Sequence, residues 1–215
     1  MKVIDLSHNI HPGIPVYPGT EPPFFVPAST IEHNGFAETR ISIYTHTATH
    51  MDAPSHVLKN GKSLDSFDAG HFWGRALIVD ASRISKDQIT VDCLASYEAR
   101  LEQVDFALIK TGWSRHWGRD DYFTGFPSLT VESARWLTRF KLKGVAVDAI
   151  SIDPLDSGSL PVHHVLLGND IVIVENLTRL DAVKSEKFYF SCLPLKISGA
   201  DGSPVRAAAI EGFAR

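Results

Sequence analysis

Short apolar runs separated by turn-rich or helical segments are the feature that most restricts the fold of this 215-residue chain. Several of these runs are typical of buried β-strands. Such strands are predicted at residues 76–80, 106–110, 144–148 and 171–175. Others are predicted at residues 2–6, 38–45, 188–193 and 205–210, so strands also follow one another directly. This order predicts a single α/β domain over residues 1–215, built on a mixed sheet.

Helices are predicted between some of the strands. Residues 91–101 fit a short amphipathic helix, and residues 163–167 a shorter one. Thr130 can cap a helix that runs through Phe140. Residues 12–23 form a proline-rich arm whose turn sequences suppress helix and favour an extended loop on a surface.

Composition excludes several classes of protein. With 44% hydrophobic and 21% charged residues the chain is typical of a globular protein, and a net charge of -4 argues against a nucleic-acid partner. The apolar runs are too short to cross a membrane, and the first residues do not resemble a signal peptide. We therefore expect a soluble, cytoplasmic protein in which Cys93 and Cys192 remain reduced.

A histidine-rich segment carries the strongest chemical signal in the chain. His46, His50, Asp52 and His56 fall within eleven residues. If this backbone is extended, His50 and Asp52 point to the same side, because side chains alternate along a strand, and His46 shares that face. Two histidines and one aspartate commonly hold zinc and leave a position open for water. The same set also holds manganese or iron, so it predicts a divalent metal site without fixing the metal.

Other polar residues allow two interpretations. Glu175 follows an apolar run and is either an exposed strand end or a metal ligand. His163 and His164 are adjacent, so only one of them faces a common site, and the offset from the leucines that follow favours His163. Asp148 and Asp153 either orient ligating histidines or cap loops.

Residues 46–56 resemble the HxGTHxDxPxH signature of the cyclase-type metal-dependent hydrolases, the family that includes bacterial kynurenine formamidases and isatin hydrolases. Further segments resemble the family's motifs in the right order along nearly the whole chain. They lie at residues 4–8, 16–19, 110–113, 147–153, 163–168, 174–177 and 193–206. The long signature is specific, and the shorter motifs support it through their order.

The resemblance implies a fold of the swivelling β/β/α type and a centre for one or two divalent ions, zinc first and manganese as the alternative. The implied ligands are His46, His50 and Asp52 for one ion, with Asp52 bridging to a second ion that His163 and Glu175 complete. His56 matches the proton-transfer residue of the family. Its ordinary pKa of about 6.5 suits both accepting and donating a proton.

Two departures from the family pattern affect what the resemblance implies. Ala48 stands where the signature has glycine, so the loop either permits alanine or shifts slightly. Tyr17 stands where kynurenine formamidases carry a tryptophan against the substrate. The implied reaction is hydrolysis of a C–N bond in a small amide through a metal-bound hydroxide, with N-formylkynurenine as the first substrate. The alternatives are opening of a cyclic amide such as isatin, and a metal- or ligand-binding module without turnover.

The proline-rich arm also predicts an assembly. Ile14, Val16 and Tyr17 are apolar residues on a segment that cannot bury them inside a helix or a central strand. Pockets for small aromatic substrates have mostly apolar walls. We therefore expect the arm to help form the substrate pocket, with Tyr17 against the substrate, across the interface of a homodimer or a higher homo-oligomer.

Overall fold

The computed structural model describes residues 1–84 and 87–212, and within them the chain forms thirteen strands and five α-helices. The predicted domain also includes residues 85, 86 and 213–215, which lie outside the described residues. The strands are β1 (Lys2–Asp5), β2 (Phe24–Ser29), β3 (Glu38–Ser42), β4 (His50–Asp52), β5 (Trp73–Asp80), β6 (Gln88–Ile89), β7 (Phe106–Lys110), β8 (Ser128–Leu129), β9 (Gly144–Val147), β10 (Val172–Glu175), β11 (Phe188–Ser191), β12 (Gly202–Pro204) and β13 (Ala208–Glu211). The helices are α1 (Ile31–Asn34), α2 (Val91–Ala95), α3 (Glu98–Leu101), α4 (Val131–Leu137) and α5 (Pro161–Leu167).

Nine of the described strands form one mixed sheet in the order β1-β13-β11-β5-β7-β9-β10-β4-β12. The four central strands β5, β7, β9 and β10 run parallel, and the strands on either side of them pair antiparallel. The helices between the central strands supply the crossovers that parallel pairing requires. The predicted α/β class with a mixed sheet is confirmed.

The central strand β7 shows how the core forms on both faces of the sheet. Residues 106–109 are all fully buried and alternate between two apolar clusters. One cluster lies under α2, α4 and α5. The other brings together Ile4 of β1 and Met51 of β4, although these strands lie near opposite ends of the sheet. The sheet therefore curls, and this second cluster is enclosed by the sheet itself.

Most predicted elements are confirmed, with ends that move by one to three residues. The strand predicted at 106–110 agrees to the residue. The strand predicted at 205–210 begins only at Ala208, because Val205 instead bridges Pro194. The helix that Thr130 caps ends at Leu137, and the Thr130 side chain accepts a hydrogen bond from a backbone N–H in the first turn of α4, as predicted.

Two predicted elements are wrong in part. The helix predicted at 91–101 divides into α2 and α3, because the chain turns at Ser96 and Tyr97. This turn places the Tyr97 ring on the core, where its hydroxyl accepts a hydrogen bond from the Asp80 backbone N–H. The strand predicted at 38–45 ends at Ser42 and pairs with β2, which was not predicted, outside the main sheet.

The histidine segment does not continue from β3. Residues 50–52 form a separate strand, β4, which lies in the main sheet between β10 and β12. Pro54 then ends this strand and begins a short 3-10 turn over Pro54–His56. The ligand candidates therefore lie on a paired strand, with less freedom than a loop would give them.

Three further expectations concern the surface and the thiols. The arm at residues 12–23 is an extended, turn-containing loop, as predicted. Cys93 and Cys192 both lie in the described part of the chain and form no disulfide. No helix among the described residues combines the length and apolar character that a membrane span needs.

Candidate metal centre

The main sheet and one helix bring the predicted ligands together. Strand β4 carries His50 and Asp52, which are two residues apart and therefore share a face. Strand β10 pairs antiparallel with β4 and places Glu175 opposite His50. Helix α5 supplies His163, and His46 lies in the loop before β4. Four of these five side chains are buried, and only His46 is partly exposed.

These side chains form two ligand sets that share Asp52. The donor atoms of His46, His50 and Asp52 lie within 4.8 Å of one another, and so do those of Asp52, His163 and Glu175. His50 Nε2 lies 3.3 Å from Asp52 Oδ1, and His163 Nε2 lies 3.5 Å from Asp52 Oδ2. Asp52 Oδ2 is buried and has no hydrogen-bond partner among the described residues. An orphaned carboxylate oxygen among imidazole nitrogens fits a divalent ion between them.

Protons on the histidines balance the buried carboxylates in the metal-free protein. Burial opposes ionisation of Asp52, but the charges of His50 and His46 hold its pKa well below the usual value. Burial likewise disfavours a charged His46, yet the Asp52 and Asp201 carboxylates raise its pKa to about 9. Despite burial, the hydrogen bond to Asp153 and the nearby Asp52 carboxylate raise the pKa of His163 well above its ordinary value. The cluster therefore attracts positive charge.

In His163 and His50 the other ring nitrogen, Nδ1, also has a hydrogen-bond partner. His163 Nδ1 lies 2.7 Å from Asp153 Oδ2, and the same carboxylate accepts the backbone N–H groups of Val162 and His163. Asp153 thus orients the imidazole and also satisfies the first turn of α5. His50 Nδ1 lies 2.8 Å from the Ala48 carbonyl oxygen. In both rings Nε2 is left to face the carboxylates of Asp52 and Glu175.

Ala48 and Asn176 both adopt left-handed backbone conformations beside this centre. Their φ angles are 55° and 59°. The Asn176 amide donates to the Ala48 carbonyl at 2.9 Å, and its Oδ1 accepts the Tyr122 hydroxyl at 2.5 Å. These buried hydrogen bonds hold a turn that alanine disfavours, and they fix the carbonyl that orients His50. Ala48, which stands where the family signature has glycine, therefore adopts the left-handed conformation.

His56 lies next to the candidate ligands but belongs to neither of these two sets. Its ring centroid is 4.0 Å from that of His46 and 5.9 Å from that of His163. Burial lowers the pKa of His56, and the neighbouring charged histidines lower it further against the opposite effect of Asp52. About a quarter of the side chain is exposed. A neutral imidazole in contact with solvent and close to the ligands can accept a proton.

Asp201 is a residue of the site that the sequence did not reveal. It forms a third group with His46 and His56, again with donor atoms within 4.8 Å. Its Oδ2 lies 3.1 Å from His46 Nε2 and 3.7 Å from His56 Nδ1. The only sequence signal is its position in the closing family motif, where a carboxylate directly precedes Gly202.

The remaining candidates lie outside the cluster. His164 is exposed, so His163 is the histidine that α5 brings to the centre. Asp148 accepts hydrogen bonds from Thr111 and from the next backbone N–H, so it acts as a loop cap. Tyr17 lies on the arm with 42% of its surface exposed. Its side chain has no hydrogen-bond or ring partner among the described residues.

Comparison with known proteins found relatives along nearly the whole chain. The family described as Putative cyclase matches residues 4–154. A kynurenine formamidase of Bacillus cytotoxicus is 35% identical over 205 residues, which cover 95% of each chain. Isatin hydrolase A from Ralstonia solanacearum superposes with a TM-score of 0.85 at 27% identity, covering 97% of this chain and 91% of that chain. An isatin hydrolase bound to the product analogue thioisatinate shares the fold, with a TM-score of 0.88 at 21% identity over 97% and 92% of the two chains.

The fold is of the α/β class, and the cluster of side chains fits divalent ions. The relatives identify the class of enzyme. The chain belongs to the cyclase family and is a metal-dependent hydrolase of amide C–N bonds. The alternative of a binding module without turnover is therefore wrong.

We expect the substitution Ala48→Gly to stabilise the metal-free protein. Glycine adopts a φ of 55° without the clash that alanine has, and this outweighs the extra freedom of glycine in the unfolded chain. The expected gain is about 0.5–1 kcal/mol in the free energy of unfolding, measured by urea denaturation. Ala53→Gly is the matched control, because Ala53 has a φ of -98° and should lose stability instead. A loss at both positions would contradict the strain at Ala48.

Proposed function

We propose that this protein is an arylformamidase that hydrolyses N-formylkynurenine to kynurenine and formate. The observation that carries the proposal is the pair of ligand sets sharing the buried Asp52. The kynurenine formamidase of Bacillus cytotoxicus, aligned over 95% of both chains, supports this substrate. The likeness to isatin hydrolases supports opening of a cyclic amide as the second candidate. Both substrates present an amide carbonyl attached to an aromatic amine.

The metal is proposed to be zinc, with manganese as the alternative, at one or two positions. His46, His50 and Asp52 would hold the first ion, and the second would lie between Asp52, His163 and Glu175. Nitrogen ligands suit zinc, while the two carboxylates also suit manganese. When bound, such ions lower the pKa of a water and polarise the amide carbonyl. A carboxylate shared between the sets offsets the repulsion between two cations.

His56 is proposed to move the proton during amide cleavage. Its lowered pKa keeps the imidazole neutral at pH 7, so it can take a proton from the attacking water. The protonated ring can then deliver that proton to the leaving nitrogen, which an amide needs in order to depart as an amine. Partial exposure lets the ring exchange its proton with solvent between turnovers.

A second copy of the chain is proposed to complete the pocket. None of residues 24–44 is buried, and this stretch contains the β2–β3 hairpin. An isolated two-stranded hairpin is marginal in water, and Phe24, Ile31, Phe36 and Ile41 leave it with exposed apolar surface. The hairpin joins the arm at one end and the His46 loop at the other. Packing between two copies would therefore order the segments that lead into the site. A cytoplasmic location is also proposed, and the two unpaired thiols support it.

The substrate can be tested directly on purified protein. We expect protein stripped with a chelator to regain activity with Zn²⁺, and to hydrolyse N-formylkynurenine with a higher kcat/KM than isatin. Release of formate and kynurenine measures the first reaction, and release of isatinate the second. A preference for isatin would replace the leading substrate, and inactivity toward both compounds with either Zn²⁺ or Mn²⁺ would contradict the proposal.

Metal binding and proton transfer should separate in two variants. Asp52→Asn should lose most of its bound metal, because both sets lose their shared anionic ligand. His56→Gln should keep its metal and lose roughly 10²–10⁴-fold in kcat, the usual contribution of acid–base catalysis. Elemental analysis and steady-state kinetics on the same samples make each variant the control for the other.

Glu175→Gln distinguishes one ion from two in the same experiment. It removes a ligand from the second set alone, so about one ion per chain should remain. Full metal content in Asp52→Asn would rule out the shared carboxylate. Loss of metal in parallel with activity in His56→Gln would make His56 a ligand.

The arm and the hairpin give the next prediction. Phe36→Glu places a charge on the exposed apolar surface and should convert a dimer to a monomer with a raised KM. Tyr17→Ala should leave the molecular mass unchanged and raise KM about fivefold, since ring stacking contributes on the order of 1 kcal/mol. Tyr17→Phe, which keeps the ring, should behave like the wild type. Light scattering after size exclusion reports the mass.

Val3→Glu is the matched control for Phe36→Glu, because Val3 is equally exposed but lies on β1 of the main sheet. A wild-type protein that is monomeric would contradict the shared pocket. Unchanged kinetics in Tyr17→Ala would show that the arm only packs on the surface.

A further inference from the structure

Asp201 is fixed in place by the strand that pairs with β4. Its backbone carbonyl accepts a hydrogen bond from the Ala53 N–H at 2.8 Å. The next residue, Gly202, begins β12 and lies directly opposite Asp52 in the sheet. The position of the Asp201 backbone is therefore tied to the strand that carries two of the proposed ligands.

The Asp201 carboxylate faces a ring nitrogen of His46. Its Oδ2 lies 3.1 Å from His46 Nε2, which is hydrogen-bond distance for these atoms. The other ring nitrogen, His46 Nδ1, lies 2.6 Å from Asp52 Oδ1. The two nitrogens of one imidazole thus point to two different carboxylates, one partly exposed and one buried.

These contacts decide which nitrogen of His46 is available to a metal. A neutral imidazole has one N–H and one lone pair. If Nε2–H donates to Asp201, the lone pair is on Nδ1, which faces Asp52 and the first ligand set. A carboxylate behind a ligating imidazole fixes both the tautomer and the ring orientation. Asp153 has the same relation to His163 on the other side of the centre.

Gly202 supplies an independent constraint on the same ring. A Cβ at this position would lie 2.6 Å from His46 Cε1 and 2.8 Å from Nε2. The imidazole therefore packs directly on the glycine backbone, and any side chain would displace it. Asp201 binds the edge of the ring while Gly202 leaves room for it, so the pair defines one orientation.

We propose that Asp201 is a positioning residue that selects the Nε2–H tautomer of His46 and so presents Nδ1 to the metal. The inference rests on the proposed metal centre and adds a residue to it. Asp201 acts through His46, and it makes no direct contact with the metal or the substrate in this role.

The test compares two substitutions at Asp201 in zinc-loaded protein. Asp201→Ala removes the acceptor, and zinc affinity measured by competition with a chromophoric chelator should fall roughly 10–100-fold. Asp201→Asn keeps an amide oxygen that accepts the same N–H, so it should recover most of that affinity. Nitrogen-15 NMR of the imidazoles should show His46 protonated at Nε2 alone in the wild type, and mixed protonation in Asp201→Ala.

Asp65→Ala is the matched control, because Asp65 accepts the Gly199 N–H in the turn before Asp201 but does not touch the histidines. This substitution should change zinc affinity by no more than about twofold. Equal losses in Asp65→Ala and Asp201→Ala would overturn the proposal, as would an unchanged His46 signal in Asp201→Ala. If either of these outcomes occurs while the wild-type chain binds zinc and hydrolyses amides, only the role of Asp201 is rejected and the proposed function is retained. A wild type that binds no zinc would refute the proposed metal centre itself.

Discussion

The buried carboxylate of Asp52 is the group on which the rest of the centre depends. It lies on a paired strand of the main sheet, and neither solvent nor a backbone N–H satisfies its Oδ2 among the described residues. A charge in such a place is stable only with positive charge close to it. His46 and His163, whose pKa values are raised, provide it, and the His50 ring lies against the same carboxylate. The curled sheet, the turn before β4 and the start of α5 are all arranged so that these rings can reach one side chain.

The arrangement of side chains around Asp52 requires strained backbone conformations, which lower the stability of the fold. Ala48 and Asn176 hold left-handed conformations, each of which costs of order 1–3 kcal/mol for a residue other than glycine. The hydrogen bonds from Tyr122 and Asn176 offset part of that strain, and they lie in the interior, where such bonds are most effective. The strain has a chemical result, since the Ala48 carbonyl it positions orients His50. Stability is therefore lost at the residues that position the proposed ligands.

The sequence predicted those features that depend on local pattern. The apolar run of β7 fixed that strand to the residue, and alternation along an extended chain was enough to place His50 and Asp52 on one face. Features that depend on distant pairing were missed. Asp201 meets His46 only because β12 pairs with β4, and the register of two strands so far apart in sequence leaves no local signal. The alternation of polar and apolar residues at 38–45 does correspond to a strand, β3. Alternation alone, however, cannot distinguish a strand of a hairpin outside the main sheet from a strand within that sheet.

Two of the proposed ligands illustrate how protons and metal compete for the same atoms. His46 and His163 each lie between Asp52 and a second carboxylate, Asp201 or Asp153. In the metal-free protein these carboxylates raise the pKa of both histidines, so both rings carry protons at neutral pH. A divalent ion must displace those protons, because the lone pair that holds a proton is the one that binds the metal. Acid therefore favours the protonated centre and higher pH the metal-loaded one. The outer carboxylates act in both states, since each holds the N–H that remains after the other nitrogen has bound the ion.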